Sequence, residues 1–365
     1  MKTEHYYLLA LQNVKGIGSI NAKKLLKYCG SAQAIFEEKT SLLNKIEGIG
    51  AYVLKNLKNK TIFDGIETEL EFIAKYNIKT YSLFDQDYPE LLKHTVDSPL
   101  LLFSSGNIDL KNPKIISIVG TRKITTSGRE FCQQLVADLA PYNPLIISGF
   151  AYGVDICAHK AAVKHNLQTI GVLAHGLNQT YPKVHKKYVA DIEKNGGFIT
   201  EFKSSSSPER ENFLQRNRII AGMSQATIVV ESASKGGSLV TAEIANSYNR
   251  DVFAVPGKPT DMFSEGCNNL IKYNKASLLT SAEDIVRMLQ WETQKPKKVI
   301  QRQLFINFNT DEQKIVDYLS KNGKTHIDTI AIETQLLNYK VAQILLQLEL
   351  KGVIKPIPGK MFDLV

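Results

Sequence analysis

Cysteine is scarce in this chain. Cys29, Cys132, Cys157 and Cys267 are scattered, with no CxxC pair and no histidine nearby at metal-ligand spacing. Neither a zinc site nor a disulfide framework is indicated, and the thiols read as reduced and structural. Long apolar runs are missing too. The opening stretch MKTEHYYLLALQNVKGIG is broken by Glu4, His5, Gln12 and Lys15 and has no small-residue cleavage site. No later run approaches the roughly 20 residues of a membrane span, so a cytoplasmic protein without one is expected. The GxGxxG fingerprint is absent as well, so the glycine after the first strong strand is a weak dinucleotide signal. No metal and no cofactor are expected.

What the chain does have is positive charge and a globular balance. Lys and Arg total 45 against 36 Asp and Glu, a net charge of +9, with 43% hydrophobic and 22% charged residues. A polyanionic partner suits that balance without being required by it. At 365 residues the chain fits one large α/β domain with smaller attachments.

Residues 1–78 read as a helical module that carries one pattern twice, VKGIGSINAKKLL and IEGIGAYVLKNL. Each is an apolar residue, a Gly-Ile-Gly turn and a new amphipathic helix, resembling a helix-hairpin-helix (SAM-like) unit. Such turns expose backbone N–H groups that can hold a phosphate, with Lys15, Lys23 and Lys24 adding charge. Equally, they are turns in a packing module.

From residue 79 the period changes. Short β-rich runs at 115–119, 144–148, 169–173, 197–200, 226–231 and 252–255 alternate with helical spacing. That order predicts a doubly wound, mostly parallel sheet over 79–290, with ligands bound beyond the carboxyl ends of its strands. A polar, basic linker follows at 291–308. The segment 309–365 reads as two short helices, a longer one and a hairpin, the outline of a winged helix. Its cations, Lys314, Lys321, Lys324, Lys340, Lys351, Lys355 and Lys360, are balanced by Asp311, Glu312, Asp317, Asp328, Glu333, Glu349 and Asp363, and it has no arginine. A helix reading base edges usually brings Arg, Asn or Gln in a positive setting, so a protein contact or packing role is favoured here.

The loops of the central domain carry the chemistry. After the strand IISIV stand Gly120, Thr121 and Arg122, the last a planar fork suited to phosphate. After PLIIS come Ser148, Gly149 and a helix start at Gly153. Asp155 and His159 share a face of that helix, expected as a carboxylate bonded to a neighbouring imidazole rather than a catalytic pair. Lys183, Lys186 and Lys187 gather beside Pro182 and attract anions. In SPERENFLQRNRIIAGMS, Arg210 and Phe213 precede Arg216, Asn217 and Arg218, an aromatic face among cations that suits a stacked base and a nucleic-acid backbone. At least one of the two clustered arginines is expected in an internal salt bridge instead. Gly236, Gly237 and Ser238 open a further helix whose N-terminus can bind phosphate.

Taken in order, SIVGTR, SGFAYGVDICAHKAA, GLNQTYPKVH, FLQRNRIIAGMSQATIVVES, GGSLVTAEIA and VFAVPG with GCNNLI resemble the bacterial DNA-processing protein A (DprA, or Smf) family. The resemblance is tight over residues 80–290, and the two flanking modules match the family's usual extensions. It implies an extended Rossmann-like domain, no established catalysis, single-stranded DNA binding and homodimerisation. It also implies loading of the recombinase RecA onto incoming DNA coated by single-strand binding protein, during natural transformation. Carried onto this chain, the DNA site falls on Gly120, Thr121, Arg122, Ser148, Gly149, Lys183, Arg210, Phe213, Arg216, Asn217, Arg218, Gly237 and Ser238. The family's glycine-rich LGxGLD stands here as LAHGLN, which leaves no acid at Asn178.

An enzyme is the alternative. Related Rossmann-like nucleoside-monophosphate phosphoribohydrolases carry PGGxGTxxE, and SKGGSLVTAEIA keeps its Gly-Gly and Glu243 but has Leu239 and Val240 where the second Gly and the Thr belong. A third possibility is a scaffold with a vestigial pocket, which would bind DNA weakly and without salt dependence.

Overall fold

A computed structural model describes residues 4–291 and 308–364. The expected linker lies, apart from its end residues, outside the described residues. Residues 4–291 form one compact unit and residues 308–364 a second.

The first unit is built on nine strands: β1 (Lys79–Ser82), β2 (Leu101–Gly106), β3 (Ile115–Val119), β4 (Leu145–Ser148), β5 (Thr169–Val172), β6 (Gly196–Thr200), β7 (Ala226–Val229), β8 (Asp251–Ala254) and β9 (Ser277–Leu278). Their order is β1-β2-β6-β5-β4-β3-β7-β8-β9. From β6 to β9 all neighbours are parallel, while β1, β2 and β6 pair antiparallel. The six β-rich runs are the strands β3 to β8; the inner strand β2 was not among them. β1 and β9 escape notice because one is polar and exposed at its start and the other only two residues long.

Side chains alternate across the sheet as the pleat demands. Ile116 and Ile118 of β3 join the core under the helices Thr126–Leu139 and Val154–Lys164, whereas Ile115 and Val119 join the core on the opposite face. Both faces are covered, which is why β3 to β7 are buried along their whole length. The chain winds outward from β3 in one direction through β4, β5 and β6, then in the other through β7 and β8. The crevice between β3 and β7 is therefore the topological switch point, where open α/β sheets bind ligands.

The two Gly-Ile-Gly turns of the helical module are near-copies. Gly16 and Gly48 have φ of 87° and 88°, a left-handed conformation that favours glycine. Gly18 and Gly50 cap the helices Ser19–Cys29 and Ala51–Leu57 with φ,ψ of −92°,175° and −93°,178°. Each helix serves the other's turn. Asn21 Nδ2 donates to Gly48 O (3.2 Å) and Lys24 Nζ to Glu47 O (3.0 Å), while Asn56 Nδ2 donates to Lys15 O (2.9 Å). Lys23 is spent as well, on Thr95 O, Val96 O and Ser98 Oγ, so neither it nor Lys24 stands ready for phosphate as the sequence led one to expect. The module is tied to the sheet through Glu69, which accepts from the backbone and hydroxyl of Ser204 (2.8 and 2.6 Å), and through Lys203, which donates to Asn13 Oδ1 (2.6 Å).

The second unit has helices Thr310–Asn322, Ile327–Thr334 and Asn338–Leu350 and a three-stranded antiparallel sheet, β10 (Thr325–His326), β11 (Ile354–Ile357) and β12 (Met361–Leu364), in the order β10-β12-β11. It is a winged helix, although its first helix is as long as its third. Ile315, Leu319, Val341, Leu345 and Leu348 build its core at helical spacing. Some of its charges are paired within the unit, Lys340 with Asp311 and Lys351 with Glu312, both at 2.5 Å.

Candidate nucleic-acid interface

A pocket of about 550 Å³ opens at the switch point. Its rim begins in the loop after β3. Thr121 N–H donates to Glu231 O (2.7 Å), and the Glu231 carboxylate accepts from Thr125 N–H (2.9 Å) and the Thr125 hydroxyl (2.5 Å). The loop is thereby clamped between β3 and β7 and leaves Arg122 exposed. On the other side Gly153, at φ 78°, lies so close that a Cβ would stand 2.1 Å from Thr121 O. Only glycine lets the loops after β3 and β4 approach this closely.

The helix Arg210–Gly222 supplies the facing wall. Phe213 is half-buried, with the Arg122 guanidinium 5.5 Å and the Arg216 guanidinium 5.8 Å from its ring centroid. The two cations bracket the ring, and Tyr181 meets it edge-on at 5.9 Å. The N-terminus of the helix Gly237–Ser247 closes the pocket, with Gly237 and Ser238 in its lining and no side chain capping Gly236. A helix start of this kind favours an anion.

Arg216 is not a surface cation. It is 4% exposed and donates through Nη1 to Gly149 O (2.5 Å) and to Val172 O, and through Nε to Asn217 Oδ1 (3.3 Å). Asn217 passes the chain on, its Nδ2 reaching Gly237 O at 3.3 Å. Burial pulls the Arg216 pKa down to about 10, opposed by Asp155, so it stays charged at neutral pH. Burial also pushes Asp155 up, opposed by Arg216 and by a hydrogen bond from Ala151 N–H. Arg216 thus holds the ends of β4 and β5 at the back of the pocket with one charged edge toward it.

The structure brings together Gly120, Thr121, Arg122, Arg210, Phe213, Arg216, Asn217, Gly237 and Ser238. Four expected contacts fall elsewhere. Ser148 is fully buried and donates to Ile118 O (2.6 Å), because the strand end uses its hydroxyl internally. Gly149 is spent on Arg216. Lys183 is exposed on the turn Lys183–His185, outside the pocket lining. Arg218 points to the opposite side of its helix, where it donates to Asp97 O and pairs with Glu201. It is the internal salt bridge foreseen for one of the two arginines. The Asp155–His159 bond also fails: His159 Nδ1 meets Thr169 Oγ1 (2.7 Å) and its Nε2 has no partner. Burial pulls its pKa down to about 3, so the ring is neutral.

Lys235 lines the pocket and was missed. Its signal was available as a lysine directly before a glycine pair at a helix start. Glu231 and its clamp were not foreseeable, since the pairing spans 106 residues.

The Arg218–Glu201 pair has a pH signature. Burial pushes the Glu201 pKa from 4.5 up to about 7, with Arg218 opposing. An acid raised in the folded state binds more protons there than when unfolded, so it lowers stability as pH climbs between those two values. Melting temperature is expected to fall over that window in the wild type and to do so less in Glu201→Gln. Identical slopes in the two proteins would show that Glu201 does not titrate there.

A model of the family described as DNA recombination-mediator protein A matches residues 79–290, and one described as the DprA winged helix domain matches residues 307–360. The chain belongs to the DNA recombination-mediator protein A family. Protein Smf of Escherichia coli K12 is 34% identical over 305 residues, covering 80% of this chain and 79% of that protein. DNA processing protein DprA of Streptococcus pneumoniae is 39% identical over 209 residues, covering 57% and 73%. The X-ray structure of DprA from Streptococcus pneumoniae superposes with a TM-score of 0.66 at 30% identity, covering 80% of this chain and 99% of that one. DNA processing protein A of Helicobacter pylori, whose structure is described for its single-stranded DNA binding mode, gives 0.54 at 27%, covering 59% and 96%. Four of the six motifs, SIVGTR, SGFAYGVDICAHKAA, FLQRNRIIAGMSQATIVVES and GGSLVTAEIA, thus contribute to the lining of one pocket. Glu243, the acid the hydrolase alternative needs, lies outside that pocket, exposed and 3.4 Å from Lys275. Among the described residues no helix is long and apolar enough to cross a membrane.

Proposed function

We propose that this recombination mediator binds single-stranded DNA in the switch-point pocket, one base against Phe213 and flanking phosphates on Arg122, Arg210, Lys235 and the Gly237 helix start. The observation that carries this reading is the half-buried ring of Phe213 bracketed by two guanidiniums at the mouth of the pocket. Duplex DNA has no unstacked base to offer such a ring, whereas a single strand does. The binding mode named for the Helicobacter pylori relative supports the same choice of ligand.

The finer reading is that a homodimer of this chain displaces single-strand binding protein and loads RecA on the strand during natural transformation, in the cytoplasm and without catalysing a reaction. Family membership supports it. The winged helix, with its charges balanced in number and Ile332, Leu337, Tyr339 and Leu350 exposed, is read as contacting protein rather than DNA. We also read 1–78, 79–290 and 309–365 as the functional modules, joined at 291–308.

Fluorescence anisotropy with labelled oligo-dT, against a duplex control and across a salt series, tests the core of this reading. Phe213→Ala is expected to weaken oligo-dT binding by about 1–3 kcal/mol, the usual worth of a stacked base, while leaving the salt slope unchanged. Affinity equal to wild type would remove Phe213 from the interface. Equal binding of duplex and single strand would remove the stacking mechanism.

A further inference from the structure

Arg122 sits in a loop held at three points. Thr121 N–H donates to Glu231 O (2.7 Å), Thr121 O accepts from Val154 N–H (3.1 Å), and Thr125 ends the loop on the Glu231 side chain. Two of these three anchors belong to one residue. Glu231 stands just beyond β7, the strand across the switch point from β3, and its carboxylate takes both the N–H and the hydroxyl of Thr125 (2.9 and 2.5 Å). Thr125 is also the N-cap of the helix Thr126–Leu139, its oxygen accepting from Gly128 N–H (3.0 Å) while its proton goes to Glu231. A negative charge at a helix start is favoured by the helix dipole.

Gly128, in the first turn of that helix, makes room for the carboxylate. A Cβ built there would stand 2.5 and 2.6 Å from the two Glu231 carboxylate oxygens. Helices penalise glycine relative to alanine, and here the missing methyl is what admits the acid. Glu231 itself does not line the switch-point pocket, although Gly120, Thr121, Arg122, Ser232 and Ala233 around it do.

We propose that Glu231, seated against Gly128, is a positioning residue for DNA binding: it holds residues 120–125 so that the Arg122 guanidinium stands over Phe213 and meets a phosphate there. This role rests on the single-stranded DNA reading above. It sets geometry against charge, because an acid beside a polyanion site works against binding by charge alone. Removing Glu231 would tighten binding if charge decided, and weakens it if position does.

Three variants separate the two. Glu231→Ala empties the seat. Glu231→Gln refills it without the charge, its amide oxygen accepting from Thr125 N–H and its N–H₂ donating to the Thr125 oxygen. Gly128→Ala keeps the charge but pushes the carboxylate, the free end of a flexible side chain, out of its seat, and alanine is the better helix former.

The experiment is anisotropy of labelled oligo-dT across a salt series on the full chain, for each variant alone and combined with Arg122→Ala, with melting temperatures measured alongside. Glu231→Ala and Gly128→Ala are expected to weaken binding about three- to tenfold, part of what Arg122→Ala loses, and to lower the salt slope by up to about 0.7. Glu231→Gln is expected to bind at least as tightly as wild type. In the Arg122→Ala background neither Glu231→Ala nor Gly128→Ala should weaken binding further. Glu231→Ala binding as tightly as wild type or tighter overturns the role, as do losses that persist undiminished without Arg122. Lower melting temperature with unchanged affinity overturns it too, since the contact would then serve the fold alone. Equal losses in Glu231→Gln and Glu231→Ala would overturn the hydrogen-bonded seat. Should Glu231→Ala not fold, Gly128→Ala decides by the same outcomes. If Arg122→Ala itself binds like wild type, the switch-point reading fails and the role of Glu231 with it. If Arg122→Ala weakens binding while Glu231→Ala and Gly128→Ala do not, only the role of Glu231 fails.

Discussion

Replacing Arg122 by alanine is expected to weaken oligo-dT binding by about ten- to a hundredfold at moderate salt and to leave the melting temperature almost unmoved. Arg122 is exposed and its guanidinium stands over the Phe213 ring, so its replacement strips a surface cation rather than a buried one. A hydrogen bond to a charged group is worth about 1.5–3 kcal/mol, and each 1.4 kcal/mol is a factor of ten. Surface changes away from caps and networks usually stay within about 0.5 kcal/mol of the parent's stability. The slope of log K against log salt should fall by about 0.7, the share of one phosphate on a single strand. Unchanged affinity and slope would mean that DNA, if bound, sits elsewhere.

Arg216→Ala, on the facing wall of the pocket, should behave in the opposite way. It is expected to destabilise the first unit by about 3–5 kcal/mol, since removing one partner of a buried ionic network strands the rest, here Asp155 and the carbonyls of Gly149 and Val172. For a unit of this size that is a fall on the order of 10 °C in melting temperature. Lysine should rescue little, because a single ammonium does not reproduce the fork that spans two strand ends and Asn217. DNA binding should be lost along with the fold, so stability must be measured first. A melting temperature within about two degrees of wild type would show that the arginine does not hold the ends of β4 and β5.

These two arginines show how far the site was legible in the sequence. Alternation of β-rich and helical runs placed the strands β3 to β8, though not β2, and the rule that ligands sit beyond their carboxyl ends selected loops that line the switch-point pocket. Composition cannot tell which way a side chain on a helix faces once the helix is buried on most sides. Arg216 and Arg218 stand two apart, about 200° around the helix axis at 3.6 residues per turn, so one faces the pocket and the other Glu201. Ser148 failed for the same kind of reason: its position at a strand end was right, but the need of Ile118 O for a donor decided its orientation. Lys235 needed only attention to the residue before a glycine pair. The Glu231 clamp depends on a pairing far apart along the chain, and no local pattern announces it.

The exchange of hydrogen bonds between the two Gly-Ile-Gly turns makes the helical module indivisible. Each repeat is finished by its twin: the loop that Asn56 secures belongs to the first copy, and the loop that Asn21 and Lys24 secure belongs to the second. A fragment carrying one copy would keep its helix and lose the hands that hold its turn. Duplication here has produced a pair of unfinished halves rather than two spare parts, and any shortening of the chain from its start has to remove both copies or neither.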